Sequence, residues 1–493
     1  MFGCAFVESP GRRPSVHDPA AGLFRSISMS WSLCLPGPSV IGPTPASTEA
    51  DHVCSLPSSL SAIGLASHPG RPIRLGQRVD DALRHLHVLG PTGVGKSTLL
   101  LNLIMQDLSE GNPIVVVDPK GDLVDDVLAR TTDQISKRVV VLDAARRDFI
   151  VGFNPLAVGE GETELTVDGI LHVFHRLHSD SWGPRTQDIL HNSLLILAGS
   201  PHASICLIPQ LLVDARFRRG VLTKAENIEA VRVFWSWYDG LSSAERNSVI
   251  SPLMNKLRPF LLRTSLRTLL GQASPSFDPK SVLDGETALL VPLRKGLIGA
   301  EAANLLGSLV VARIWQLAQA RSSLRAEKRR PVFLYLDEFQ DYLHLPTDIA
   351  EVLAQSRGLG MGMILAHQHL GQLGPAVRSA TLSNAQSQIL FRLAADDAAT
   401  IARSTGELDQ TDFTSLRRFE VYARLLDEGS MPPFASARTQ PPPPAIRNPE
   451  DLGTVLARRW GRSPTEVDDS LKPVKSEDLD SSGEIGRRKR GSS

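Results

Sequence analysis

Short apolar runs alternate with longer helical patterns along most of the chain, beginning near Ile73. Runs rich in Val, Ile and Leu, without polar alternation, are typical of strands buried on both faces. The predicted strands are Leu86–Leu89, Ile114–Val117, Val139–Leu142, Ala288–Leu293, Val332–Leu336 and Met361–Ala366. Their spacing by helical segments predicts an α/β fold with a mostly parallel sheet and helices on both faces.

The pattern changes between about residues 160 and 275, where strand-like runs disappear and helical stretches take over. Examples are ELTVDGILHVFHRL, TQDILHNSLLILAG and AVRVFWSWYDGL. We therefore expect an all-helical insertion at 160–275 that divides the α/β core into a first part, 71–159, and a second part, 276–440.

The two ends of the chain differ from the middle. Residues 1–70 are rich in Ser, Pro and Gly, which predicts a disordered arm, with a wrongly assigned start as the alternative. At the other end, residues 441–493 begin with a polyproline spacer, Pro441–Pro444. Asn448 and Pro449 predict the start of a short helix that ends at Gly461, followed by a disordered, basic-ended tail.

Composition narrows the class of protein. The chain has 493 residues, 42% of them hydrophobic, with 53 basic and 53 acidic side chains, which places most of it in the globular range. Because the basic and acidic side chains balance, any nucleic-acid binding must come from a local surface. Four scattered cysteines fit a reducing compartment, and neither a secretory signal nor a bilayer-spanning apolar run is found. We expect a cytoplasmic protein, with peripheral association at the inner face of the membrane as the alternative.

The segment GPTGVGKS matches the phosphate-binding loop GxxxxGK[ST] in full, between a predicted strand and a predicted helix. Glycines let backbone N–H groups turn inward around phosphates, and the helix amino terminus adds its positive end. Lys96 is expected to reach the β- and γ-phosphates and Ser97 to ligate Mg²⁺. The predicted ATP-binding residues are Gly90, Pro91, Thr92, Gly93, Val94, Gly95, Lys96, Ser97 and Thr98.

A second set of candidate residues follows later strands. In VFLYLDEFQ, Asp337 and Glu338 follow an apolar run, at the sheet edge where ligands bind in doubly wound folds. Asp337 is expected to hold Mg²⁺ and Glu338 to polarise the attacking water, although an ordinary acidic loop would look alike. Gln368 ends the next strand and is a candidate γ-phosphate sensor. Arg357 is a candidate arginine finger, acting in cis or from a neighbouring subunit.

An ordered series of motifs extends the phosphate loop: GPTGVGKST, IVVVDPKGDL, GFNPL, SWGPRTQDIL, LYLDEFQDY and LAHQHLGQL. Over residues 73–440 this series resembles the TraG/TraD-type coupling ATPases of conjugative type IV secretion, in the HerA/FtsK branch of RecA-like motors. The resemblance implies a ring-forming ATPase, usually hexameric, that pumps DNA, with a helical domain inserted in its core. It also implies the trans-acting arginine at Arg357 and the sensor glutamine at Gln368, and it places Phe391-Arg392 near a subunit interface.

Family members usually carry N-terminal transmembrane helices, and none is found in this sequence. Either an anchor is missing or this is a relative without one, which leaves attachment to a secretion channel open. The basic stretches 216–220, 256–267 and 326–331 either line a DNA path or form solvated helix faces. His172, His175 and His178 are more typical of a helix surface than of a metal site.

Three functions follow as hypotheses. The first is a Mg²⁺- and ATP-dependent DNA translocase in conjugative transfer, a homo-oligomer whose partners include DNA, a relaxase and secretion-channel proteins. The second is a HerA/FtsK-like DNA pump in repair or segregation. The third is a nucleotide-gated adaptor that recruits a relaxase or protein cargo without processive movement.

Overall fold

Strands and helices alternate in the computed structural model, which describes residues 60–66, 73–157, 162–200, 203–224, 229–342 and 349–472. The strands are β1 Leu60–Ala66, β2 Ile73–Arg78, β3 Leu86–Leu89, β4 Ile114–Asp118, β5 Val139–Val141, β6 Ile150–Val151, β7 Ala288–Pro292, β8 Val332–Asp337, β9 Met361–His367, β10 Ser387–Leu390, β11 Glu420–Arg424, β12 Ala435–Thr439 and β13 Gly461–Arg462.

The helices are α1 Val79–Ala82, α2 Lys96–Glu110, α3 Asp122–Arg130, α4 Asp133–Ser136, α5 Thr163–Leu177, α6 Pro184–Ala198, α7 Ile208–Val213, α8 Ala215–Lys224, α9 Glu229–Gly240, α10 Ser243–Leu261, α11 Thr264–Leu270, α12 Lys280–Asp284, α13 Lys295–Ile298, α14 Ala300–Ala320, α15 Ile349–Ser356, α16 Pro375–Asn384, α17 Ala395–Thr405, α18 Gln410–Thr414, α19 Pro449–Trp460 and α20 Pro464–Leu471. None of these helices combines the length and the apolar character needed to cross a bilayer.

One large sheet organises the α/β part, in the order β2-β1-β12-β11-β10-β3-β9-β8-β4-β7-β5. From β10 to β5 all neighbours are parallel, whereas β2, β1, β12 and β11 extend the sheet by antiparallel pairing. The six strands predicted from apolar runs are β3, β4, β5, β7, β8 and β9, and they lie side by side. The predicted α/β fold, a RecA-like core with a mostly parallel sheet, is confirmed.

The helical insertion is also confirmed, because every described element from α5 to α11 is helical. Its interior includes Arg218, whose fully buried guanidinium lies over the rings of Trp235 and Tyr238 at 5.7 and 5.1 Å. Arg218 also donates to the carbonyl of Leu211 at 2.7 Å and pairs with Asp239, so this buried cation is compensated. The domain boundaries at residues 160 and 275 remain predictions.

The predicted disordered arm of residues 1–70 is wrong for Leu60–Ala66, which form β1. This strand pairs with both β2 and β12, and the Gln106 side chain accepts from the N–H of Ala62 at 2.6 Å and donates to its carbonyl at 2.9 Å. One partner strand lies more than 350 residues away, so the local pattern carries no sign of the pairing. The rest of the predicted arm, residues 1–59 and 67–70, lies outside the described residues.

The helix predicted after the polyproline spacer is confirmed as α19, which begins at Pro449 behind the Asn448 cap and ends before Gly461. The predicted disorder beyond it is wrong for residues 464–471, which form α20. A capping box between Ser463 and Glu466 starts this helix, and Val467 is buried. The rest of the predicted tail, residues 473–493, lies outside the described residues.

Candidate nucleotide-binding site

The predicted phosphate loop connects β3 to α2 at the carboxyl edge of the parallel strands. Gly93 and Gly95 have φ angles of 85° and 120°, which side-chain-bearing residues rarely adopt. A Cβ at Gly95 would lie 2.6 Å from Cδ1 of Phe419, so the position also lacks room. Within the described part of the chain, the backbone N–H groups of residues 92–98 have no hydrogen-bond acceptor. The loop therefore presents a row of donors to an anion.

Lys96 lies inside this loop, at the first position of α2. Its Nζ donates to the carbonyl of Gly90 at 2.5 Å, and the residue is only 7% exposed. Burial lowers the pKa of Lys96, while the charges of Glu338 and Asp337 act in the opposite direction. The cation is thus held between the loop and the carboxylates, where phosphates would meet both.

Asp337 and Glu338 stand where β8 ends, as predicted. Burial raises the pKa of Asp337 to about 7, and the nearby charges of Glu338 and Asp118 add to the effect. Glu338 adopts a left-handed backbone with φ 49°, a strained conformation for a side-chain-bearing residue. This turn directs the Glu338 carboxylate towards the phosphate loop, where its two oxygens accept from different side chains.

Gln368 connects the carboxylate to the phosphate loop. Its Nε2 donates to Glu338 Oε1 at 2.6 Å, and its Oε1 accepts from the hydroxyl of Thr92 at 2.9 Å. A second amide, Gln340 Nε2, donates to the other oxygen of Glu338 at 3.1 Å. The bridge forms because β9 lies between β3 and β8, so Gln368 follows the middle strand of the three.

Arg357 is not part of this constellation. It is exposed and follows α15, before β9 begins, whereas Gln368 follows the end of β9. The seven residues of β9 separate the two by about 20 Å at roughly 3.3 Å per residue. The structure therefore places Arg357 at the opposite edge of the sheet and argues against a role in cis.

The loop is also packed against two aromatic side chains that sequence reasoning did not assign to it. Phe391 follows β10, and a Cβ on Gly90 would lie only 2.6 Å from the Cβ of Phe391. Phe419, at φ 69°, donates its N–H to the carbonyl of Val94 at 2.9 Å. Both residues lie about 300 positions from the loop, so no local pattern could identify them. Arg392 follows Phe391 and is exposed at this edge.

Two buried histidines lie beneath the site, and sequence reasoning missed this pair as well. The Nε2 atoms of His87 and His367 are 2.7 Å apart, and their rings stack with centroids 5.0 Å apart. Because the carbonyl of His369 can only accept, the 3.0 Å contact assigns the proton of His367 to Nδ1. His87 must then donate from Nε2, and its buried Nδ1 has no partner within the described chain.

This pair predicts a pH dependence of stability. Burial lowers the pKa of His367 to about 4 and that of His87 well below its ordinary value. The unfolded chain therefore binds more protons below about pH 6.5, and stability is lost as the pH falls from there towards 4. Each such histidine contributes up to about 1.4 kcal/mol per pH unit in this window.

His87→Gln keeps a donor for His367 but cannot titrate. We therefore expect its unfolding temperature to fall less between pH 7 and pH 5 than that of the wild type. The matched control is His175→Gln on the exposed side of α5, which should follow the wild type. Thermal unfolding followed by circular dichroism measures both. An equal loss in His87→Gln and the wild type would contradict the prediction.

Two family models match the chain. The helicase HerA central domain matches residues 65–176, and the type IV secretion-system coupling protein DNA-binding domain matches residues 300–415. The chain resembles the conjugative coupling ATPases. The first match contains the phosphate loop, and the second contains Asp337, Glu338, Arg357 and Gln368. The two halves of the site thus fall in different matched regions.

Solved structures of coupling proteins share the fold. The bacterial conjugative coupling protein TrwBdeltaN70 in an unbound form gives a TM-score of 0.54 at 18% identity, covering 75% of this chain and 89% of that one. The plasmid coupling protein TrwB in complex with ADP and Mg²⁺ gives 0.55 at 19% identity, covering 75% and 88%. A comparison with curated proteins found no match.

Proposed function

We propose that this chain is an ATPase that hydrolyses ATP with Mg²⁺ to pump DNA during conjugative, type IV secretion-like transfer. The observation that carries the proposal is the hydrogen-bonded bridge from Thr92 through Gln368 to Glu338 beside a complete phosphate loop. It puts a carboxylate able to position water next to an anion cradle, and a polar sensor between them. Phosphoryl transfer needs this kind of positioning and charge stabilisation.

In this proposal each group of the site has a separate role in binding or hydrolysing ATP. Backbone N–H groups of residues 92–98 hold the phosphates, and Lys96 neutralises the charge that develops on the γ-phosphate. Glu338 orients the attacking water and accepts its proton, while Gln368 couples Glu338 to the γ-phosphate. The Glu338 carboxylate is fixed by two amides, which lowers the cost of positioning it.

Ser97 and Asp337 fit a Mg²⁺ site. The exposed Ser97 hydroxyl stands at the mouth of the loop, and Asp337 is a crowded carboxylate whose raised pKa a cation would relieve. No cluster of three or more His, Cys, Asp or Glu side chains in the described ranges forms a protein-only metal site. This agrees with a cation that arrives with the nucleotide and shields the phosphate charge.

We further propose a homo-oligomeric ring, a hexamer in line with the resemblance, in which Arg357 completes the site of a neighbouring subunit. The support is its exposure and its distance from the site of its own chain. DNA would be bound without sequence preference, and a relaxase and secretion-channel proteins are the proposed further partners. The proposed location is the cytoplasm or the inner face of the membrane.

The test is ATP hydrolysis with and without single- and double-stranded DNA, with Lys96→Ala as the control. We expect several-fold stimulation by DNA, and loss of activity in Lys96→Ala because the γ-phosphate loses its cation. A slow rate indifferent to DNA, together with a stable relaxase or cargo complex, would overturn the motor in favour of a nucleotide-gated adaptor. If DNA stimulates hydrolysis but Lys96→Ala has no effect on conjugation, a pump for repair or segregation would be favoured.

A further inference from the structure

A cleft of about 490 Å³ lies outside the nucleotide site, where several distant segments meet. Its walls come from four stretches of the chain: the segment after β5 as far as Ile150 of β6, the cap and first turn of α11, the end of α13 and the start of α20. The lining residues are Ala144, Ala145, Arg146, Arg147, Ile150, Arg263, Thr264, Ser265, Leu297, Ile298 and Pro464. Three of them are arginines, and no carboxylate is among them.

Two of these arginines are available to a ligand. Arg147 is exposed and has no ion-pair partner within the described residues. Arg263 is exposed too, and its Nη1 donates to the carbonyl of Ile298, which fixes the guanidinium at the rim while its other nitrogens bond to no described residue. Gly299, at φ 83°, leaves the space that this side chain occupies, since a Cβ there would lie 3.1 Å from Arg263 Nη2.

Arg146 has a different role. Its Nε and Nη2 bind the two oxygens of Asp148 at 3.1 and 2.9 Å, and Nη2 also donates to the hydroxyl of Thr454 at 3.1 Å. This arginine therefore ties the wall of the cleft to α19 and is largely neutralised. The net positive charge of the cleft comes from Arg147 and Arg263.

The remaining lining suits a phosphodiester. The side-chain hydroxyls of Thr264 and Ser265 make no hydrogen bond to described residues, so they can donate to phosphate oxygens beside the guanidinium groups. Leu297, 74% exposed at the rim, offers an apolar surface to a sugar. One guanidinium group can bind two phosphate oxygens at once, and such contacts need no side chain that recognises a base.

The segment that carries Leu297 is also tied to the nucleotide site. Lys295 Nζ pairs with Asp341 at 2.8 Å, three residues beyond Glu338, and its backbone N–H donates to the carbonyl of Pro119 at 2.8 Å. The cleft lies beside β5 and β7, at the same carboxyl edge of the sheet as the phosphate loop. The matched DNA-binding domain begins at residue 300, immediately after this segment.

We propose that this cleft binds the phosphate backbone of nucleic acid, with Arg147 and Arg263 as the charged ligands and Thr264 and Ser265 as hydroxyl donors. The proposal rests on the proposed function, because it assigns a contact surface for the DNA that the motor moves. Arg263, Thr264 and Ser265 fall in the basic stretch 256–267 that the sequence analysis singled out. Arg147 lies in none of the basic stretches named there.

The test is the affinity of the full chain for a fluorescent single strand and for a duplex, measured by anisotropy between 50 and 200 mM salt. Arg147→Gln removes one cation. Ser265→Asp adds an anion in the first turn of α11, where a carboxylate favours the helix, so folding is retained. We expect both variants to bind several-fold more weakly. In Arg147→Gln the slope of log K against log salt should also become less negative, for each cleft that contacts DNA, by about 0.9 on duplex and by about 0.7 on single strands.

Arg378→Gln on the exposed side of α16 removes the same charge elsewhere and should bind as the wild type does. Unfolding temperatures confirm that all three variants are folded. If the wild type binds DNA and the affinity and salt slope of Arg147→Gln and Ser265→Asp equal those of Arg378→Gln, the cleft is not a phosphate site. If the wild type itself does not bind DNA, the proposed function fails and the cleft assignment fails with it.

Discussion

Glu338→Gln is expected to lower ATP hydrolysis by about 100- to 1,000-fold while nucleotide affinity changes only a few-fold. A positioned carboxylate base contributes roughly 10²–10⁴ to such a rate, and the amide cannot accept the proton of the attacking water. Lys96 and the N–H groups of the phosphate loop stay in place, so binding is preserved. Phosphate release measures the first quantity, and titration with a fluorescent ATP analogue measures the second.

Glu286→Gln is the matched control, since it makes the same chemical change at an exposed residue between α12 and β7. It should hydrolyse ATP at the wild-type rate. A Glu338→Gln protein that retains more than about a tenth of the wild-type rate would show that another group activates the water. Equal losses of affinity and rate would instead indicate that Glu338 holds the phosphate loop in shape through Gln368.

Arg357→Ala should lose at least about 1,000-fold in ATP hydrolysis, because an arginine finger is worth 10³–10⁵ in rate. The distinctive expectation concerns mixing. Arg357→Ala has an intact phosphate loop, and Lys96→Ala has an intact arginine, so a mixed oligomer contains sites with both. Hydrolysis should therefore reappear when the two inactive proteins are combined, and its dependence on the mixing ratio should be bell-shaped.

Two outcomes would contradict a role in trans. Mixing that restores no activity, although the two variants co-assemble in sedimentation experiments, would mean that Arg357 does not complete a neighbour's site. An Arg357→Ala protein as active as Arg403→Ala, a change at an exposed arginine of α17, would remove Arg357 from catalysis altogether.

The part of the site that could be predicted is the part whose chemistry is contiguous. Gly90–Ser97 carry their own turn, helix start, cation and hydroxyl within eight positions, so one segment specifies the phosphate loop. Asp337 and Glu338 are similar, because a buried strand followed at once by carboxylates predicts their position at the carboxyl edge. Gln368 could be proposed as a sensor for the same reason.

The antiparallel extension of the sheet could not be predicted. The strand β12 mixes small and polar residues, so it does not stand out from a loop by pattern. The strand β1 contains Ser61, Ala62 and Gly64, and a Cβ at Gly64 would lie 2.5 Å from the carbonyl oxygen of Arg438. What makes these segments strands is pairing with distant partners, which outweighs weak local preference.

By itself, the sequence determined the parallel core, the helical insertion and the residues of the phosphate loop, because burial on both faces and a contiguous motif leave local patterns. The tertiary structure decided strand order, and with it everything that depends on neighbours. It placed Gln368 between Thr92 and Glu338, Arg357 at the far edge, His87 against His367, and Phe419 against the loop. It also assembled the basic cleft from four segments. Periodicity records which face of an element is buried but not which element covers it, so these juxtapositions exist only in the folded chain.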